Sequence, residues 1–123
     1  GFMRQMLPGL TTSEIFPLPE IDLIASGLAL PFHAASLSAI LMTNVFHHLP
    51  KPRVFLAEAA RCLKPGGAIA MIEPWVTPWS GWVYSHLHEE PFDPQSGTWE
   101  FSEKGPLSGA NNALAWIIFQ RDR

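Results

Sequence analysis

The sequence predicts an α/β fold built on a parallel sheet, and three features carry that expectation. Short apolar runs recur at Ile21 to Ala25, Ala39 to Met42 and Ala68 to Ile72, and the last two, without polar alternation, suit buried strands. Between the last two lies a helical pattern from Pro52 to Leu63, with proline in its first turn and Phe55, Leu56, Ala59, Ala60 and Leu63 on one apolar stripe. The helix is closed by Lys64-Pro65-Gly66-Gly67, where glycine can take the positive φ that a chain reversal needs. Strand, helix and strand from Ala39 to Glu73 make a βαβ unit.

Taken in order, Phe2 to Leu7 reads as a helix that stops at Pro8-Gly9. Leu10 to Glu14 is a candidate strand, Ile21 to Ala25 a second and Ala39 to Met42 a third, expected as neighbours in one sheet. Beyond Pro74 the composition changes: all five tryptophans lie there, with many prolines and few strand-like runs before Trp116-Ile117-Ile118-Phe119. The division is therefore a βα core over residues 1–74 and an aromatic-rich, substrate-side cover over 75–123, within the same domain.

Composition excludes several classes. A chain of 123 residues with 47% hydrophobic content supports one domain with a real core. Eight basic and 11 acidic residues give a net charge of -3, and no basic run could track a phosphate backbone, so nucleic acid is not an expected partner. No apolar run approaches the roughly 18 residues of a membrane span, and a single cysteine, Cys62, forms no internal disulfide. A soluble, cytoplasmic protein with no membrane partner is expected; the oligomeric state is not readable.

Several segments in order resemble the class I S-adenosylmethionine-dependent methyltransferases, above all the small-molecule subgroup typified by ubiquinone and menaquinone biosynthesis enzymes. They are Leu30-Pro31-Phe32, Ser36 to Ile40, Asn44-Val45-Phe46-His47-His48-Leu49, and Glu58 to Gly67 followed by a strand ending Ile72-Glu73-Pro74. The last block is the most specific. The resemblance covers about Gly1 to Pro74 and implies a Rossmann-like parallel sheet, S-adenosyl-L-methionine as cofactor and a small-molecule methyl acceptor. The family's glycine-rich first strand is missing from this reading, Gly1 alone standing as its last residue, and the closing antiparallel strands are also expected to be absent.

Ligands of an open parallel sheet sit beyond the carboxyl ends of its strands, which singles out Glu14, Ser26, Asn44 and Glu73. The resemblance implies that Glu14 accepts hydrogen bonds from the cofactor ribose hydroxyls. Ser26 stands where many relatives carry an aspartate that meets the adenine amino group; Gly27 and Leu28 follow it, and core packing is an equally good account of Leu28 and of Leu30 to Phe32. Asn44, Val45 and His48 fall where the family places the methionine end of the cofactor. Ser38 replaces a common aspartate before the following strand.

Methyl transfer from a sulfonium needs alignment and a dry site more than a nucleophile. His86 and His88, with Glu89 and Glu90 beside them, are candidate bases for a hydroxyl or acidic carbon, or simply a polar helix face. Trp75, Trp79 and Trp82 share one face if their stretch is helical, and with Tyr84 they could wall an apolar acceptor or pack on the sheet. His47 and His48 suggest a metal, but adjacent histidines are expected to diverge and no third ligand is spaced to join them, so no metal is expected. Two other classes compete: a nicotinamide-dependent oxidoreductase, opposed by the lack of G-x-G-x-x-G, and a non-catalytic split domain that binds a partner through open sheet edges.

Overall fold

Period-2 burial along two long strands sets the architecture. The computed structural model describes residues 2–102 and 109–123, in the order α1 (Phe2–Met6), β1 (Ser13–Glu14), β2 (Leu23–Ile24), β3 (Leu37–Thr43), a 3-10 turn (Phe46–His48), α2 (Pro52–Cys62), β4 (Leu63–Ile72), α3 (Pro78–His86) and α4 (Leu114–Trp116), which continues as a π-helical turn (Ile117–Arg121). β3 and β4 pair in parallel, with Ile40 opposite Ile69 and Met42 opposite Met71. These four face the core, whereas Leu41 and Ile72 on the other face are exposed. The strands are thus covered on one face among the described residues, not on both as their unbroken apolar runs suggested.

α2 presents Phe55, Ala59 and Cys62, at helical spacing, to that core. It passes straight into β4 at Leu63, whose backbone is already extended. The Lys64 to Gly67 segment is therefore not a loop between helix and strand but part of β4. Between the pairs Leu37–Leu63 and Ala39–Ala68, β4 advances five residues while β3 advances two, so Pro65-Gly66-Gly67 forms an irregularity of the β-bulge kind. Gly66 has φ +80°, and a Cβ on Gly67 would lie 2.9 Å from the Lys64 carbonyl and 3.1 Å from that of Ser38. Both glycines are required, the first by conformation and the second by close approach.

β1 and β2 also pair in parallel, Ser13 with Leu23 and Glu14 with Ile24. They form a separate two-stranded sheet, not one continuous with β3 and β4. In the doubly wound order a strand stands between the second and fourth strands. The described residues supply none there, so the expected single sheet resolves into two parallel pairs.

The segment after Pro74 differs most from expectation. Thr77 and Ser80 form a reciprocal capping box that starts α3 at Pro78, leaving Trp75 outside the helix. Trp116 to Phe119 is helical, not a strand. Ile118 within it, with Leu114 and Ala115 just before it, joins Met42, Phe46, Leu49, Phe55 and Ala59 in one cluster, so the tail completes the core. The sequence signal misled because four apolar residues in a row fit a buried helix as well as a strand.

Candidate active site at the carboxyl ends of the strands

The chain leaves β3 through Asn44, which takes a left-handed φ of +52° and donates its N–H to the Ile72 carbonyl at 2.8 Å. That turn directs Val45, Phe46 and His47 toward the end of β4, where Glu73 waits. One oxygen of Glu73 accepts the N–H groups of Val45 and Phe46, each at 2.8 Å; the other accepts that of His47 at 3.3 Å and meets His47 Nδ1 at 2.6 Å. The two side chains are almost wholly buried. Burial pushes the Glu73 carboxyl upward, but the hydrogen bonds from the His47 ring and from Phe46 and Val45 outweigh it and hold the group below the ordinary carboxylate range. The anionic carboxylate accepts only, so Nδ1 of His47 carries the proton and Nε2 points away from Glu73.

Nε2 faces a polar cavity of about 270 Å³ lined by Asn44, His47, His48, Pro74, Tyr84, His88, Glu90 and Asn112. Its far wall is set by the tail. Buried Asn111 bonds its backbone N–H to the His47 carbonyl and, through its side chain, grips Asp93; buried Asn112 donates to Glu90 and to the Pro91 carbonyl. Glu90 is thereby brought to 3.7 Å from Nε2 of both His47 and His48. The cavity is too small for a nucleoside and suits a small polar group.

The sequence-predicted residues divide into three groups. Asn44, His48, Tyr84 and His88 come together at this cavity; Val45, whose N–H is held by Glu73, has a side chain 40% exposed. Glu14 ends β1 on the other strand pair, exposed and engaged by no side chain among the described residues. Ser26 accepts the Leu28 N–H in its own turn, Leu28 packs against the core, and Gly27 is tight against Leu49 and Phe55. Gly1 lies outside the described residues.

The aromatic stretch is not the stripe that even spacing suggested. Trp75 precedes α3; Trp79 and Trp82 stack on each other, 5.6 Å apart, with Trp79 72% exposed, so neither packs against the sheet. His86 stacks on Trp82, bonds its carbonyl and stands clear of the cavity. His88 lines the cavity beside Tyr84, its Nδ1 accepting the Glu90 N–H.

The most specific sequence block has a structural purpose. Arg61 forks onto Glu58 and also donates to the carbonyls of Leu30 and Phe32, while Glu58 accepts the Leu30 N–H. The Arg61 guanidinium and that N–H hold Glu58 at about 2. The pair straps the loop after β2 onto α2.

Glu73, Glu90 and His47 stand out in the sequence one by one but not as a group, and Asn111 and Asn112 do not stand out at all. Their only local signal is a polar pair just before an apolar helical run.

An α/β protein with parallel strands, a βαβ unit and a polar cavity beyond the strand ends defines a ligand-binding edge of the Rossmann-like kind. Residues 11–71 match the family model described as methyltransferase domain. The chain carries a class I methyltransferase domain, of which this segment is the matched part. It is 41% identical over 58 residues to a protein of Mycobacterium avium (strain 104) described as an uncharacterized methyltransferase, across 46% of this chain and 23% of that one. A protein of Mycobacterium tuberculosis (strain ATCC 25177 / H37Ra) with the same description is 38% identical over 64 residues, across 51% and 25%. The chain thus spans about a quarter of the length of these relatives. No solved structure matches it significantly.

Proposed function

We propose that the chain binds S-adenosyl-L-methionine along the carboxyl ends of β1, β2 and β3 and serves methyl transfer to a small-molecule acceptor seated at the polar cavity. The observation that carries this reading is the placement of Glu14, a carboxylate unengaged among the described residues, and a cavity around Asn44 at strand ends within a methyltransferase domain. Bound there, the cofactor supplies an electrophilic methyl group on a sulfonium. Glu14 is free to accept both ribose hydroxyls, which a residue already bonded within the protein could not do. Ser26 keeps its hydroxyl proton to donate toward the adenine, while Gly27 and Leu28 fix that turn by packing. Asn44 and Val45 bring the chain past the methionine end. His88 accepts a backbone N–H at Nδ1, so its neutral ring carries the proton on Nε2 and can donate to an acceptor oxygen. Trp79 and Trp82 offer an exposed aromatic ledge for an apolar part of the acceptor.

Backbone amide spectra of the chain titrated with S-adenosylmethionine test this reading. Shifts that saturate and cluster at Glu14 to Ile15, Ser26 to Leu28 and Asn44 to Val45 support it; no saturable shift, or shifts confined elsewhere, overturns it.

A second reading, a partner-binding module, is favoured by surface area. The chain exposes 8003 Å², against about 6,600 Å² expected for a compact monomer of 13.7 kDa, and Ile24 and Ile72 are 58% and 70% exposed. Concentration-dependent self-association without cofactor affinity would favour this reading over the first.

No helix among the described residues is long and apolar enough to cross a membrane. A cytoplasmic site of action is part of the proposal.

A further inference from the structure

We propose that His47, His48 and Glu90 form a binding site for a divalent metal ion of the zinc type. From sequence alone, neighbouring histidines are expected to diverge and to lack a third ligand. On the 3-10 turn the two rings instead lie 4.2 Å apart at 40°, and the third ligand, Glu90, arrives from 42 residues further along the chain, held in place by Asn112.

One ligand atom from each residue lies within 4.8 Å of the others. Each Nε2 is 3.7 Å from an oxygen of the same carboxylate. That is longer than a hydrogen bond and close to the edge, about 3.3 Å, of a tetrahedron with metal–ligand bonds of about 2.0–2.1 Å. Glu73 engages Nδ1 of His47, so Nε2 is the ring nitrogen left to face the Glu90 carboxylate and to serve as a ligand atom.

The surroundings are those of a built site. Glu73, His47 and the proposed ion make the carboxylate–histidine–metal relay that fixes ring orientation and raises ligand basicity. Asn112 plays the same part for Glu90, donating to its Oε2 at 3.3 Å. Nδ1 of His48 is buried with no hydrogen-bond partner among the described residues, so its ring is placed by stacking and by what it meets at Nε2. Two nitrogens and one oxygen suit zinc, and all three residues line the cavity, which leaves the fourth position open to it. The site stands on this geometry and not on methyl transfer, so its fate is separate from that of the cofactor reading.

The test is titration of the tag-free chain with Co²⁺ as a spectroscopic probe, followed by displacement with Zn²⁺ against a chelating dye, with no methyl donor present. The expected result is one equivalent bound with the visible spectrum of a four-coordinate ion. His48→Ala and Glu90→Gln each weaken binding at least tenfold, while His33→Ala and His86→Ala leave it unchanged. Absence of stoichiometric binding, or equal binding in His48→Ala and Glu90→Gln, overturns the proposal. Should both variants fail to fold by circular dichroism, histidine ring resonances of the wild-type chain decide: Zn²⁺ must shift those of His47 and His48 and spare His33 and His86.

Discussion

The imidazole Nδ1 of His47 lies 2.6 Å from Oε2 of Glu73, and that same carboxylate receives the backbone N–H groups of Val45, Phe46 and His47. One side chain at the end of β4 thus caps the 3-10 turn after β3, ties the two strand ends together and fixes the tautomer of a cavity-lining histidine.

Glu73→Gln keeps the shape and removes the charge. It should cost about 1.5–3 kcal/mol, the worth of hydrogen bonds to a charged group, measured by urea denaturation.

The pH dependence follows from the same group. Its folded pKa is lowered from an ordinary value of 4.5, so its contribution is complete above that value and fades as pH falls through the folded one. Asp22 and Asp122, each held at about 2, also lose their contribution as the medium is acidified. The Tm of the wild type should therefore fall as the medium is acidified below pH 4.5, and Glu73→Gln should flatten that fall.

Gly67→Ala places a methyl group against two carbonyl oxygens, 2.9 and 3.1 Å away. A loss of about 1–3 kcal/mol is expected. Gly66→Ala, with φ +80°, should lose about 1 kcal/mol, whereas Gly9→Ala, with nothing within 4 Å of the new atom, should stay within about 0.5 kcal/mol of wild type.

Arg61→Lys removes the fork that joins Glu58 to the Leu30 and Phe32 carbonyls. The pair is solvent-facing, so global stability should move little. The amide of Leu30, bonded to Glu58, should instead exchange with solvent several-fold faster, as read by hydrogen exchange.

Much of this was legible in the sequence, and the limits have physical causes. The βαβ unit could be read because Phe55, Leu56, Ala59 and Ala60 recur at helical spacing between two apolar runs. The capping of α3 could not: Thr77 and Ser80 box its start only once Pro78 is seen as its first residue. Trp116 to Phe119 looked like a strand because local pattern cannot distinguish a short buried helix. The cavity was the least legible part. His47, Glu73, Glu90 and Asn112 are joined by long-range packing, and Glu90 is positioned by an asparagine 22 residues away.

The central claim is that a methyl donor is held at the strand ends with Glu14 on its ribose. Calorimetric titration of S-adenosylmethionine into the chain and into Glu14→Ala tests it most directly. The account predicts saturable 1:1 binding that weakens at least tenfold in the variant. Wild-type chain that takes up no donor, or a Glu14→Ala variant that binds it equally well, would contradict it.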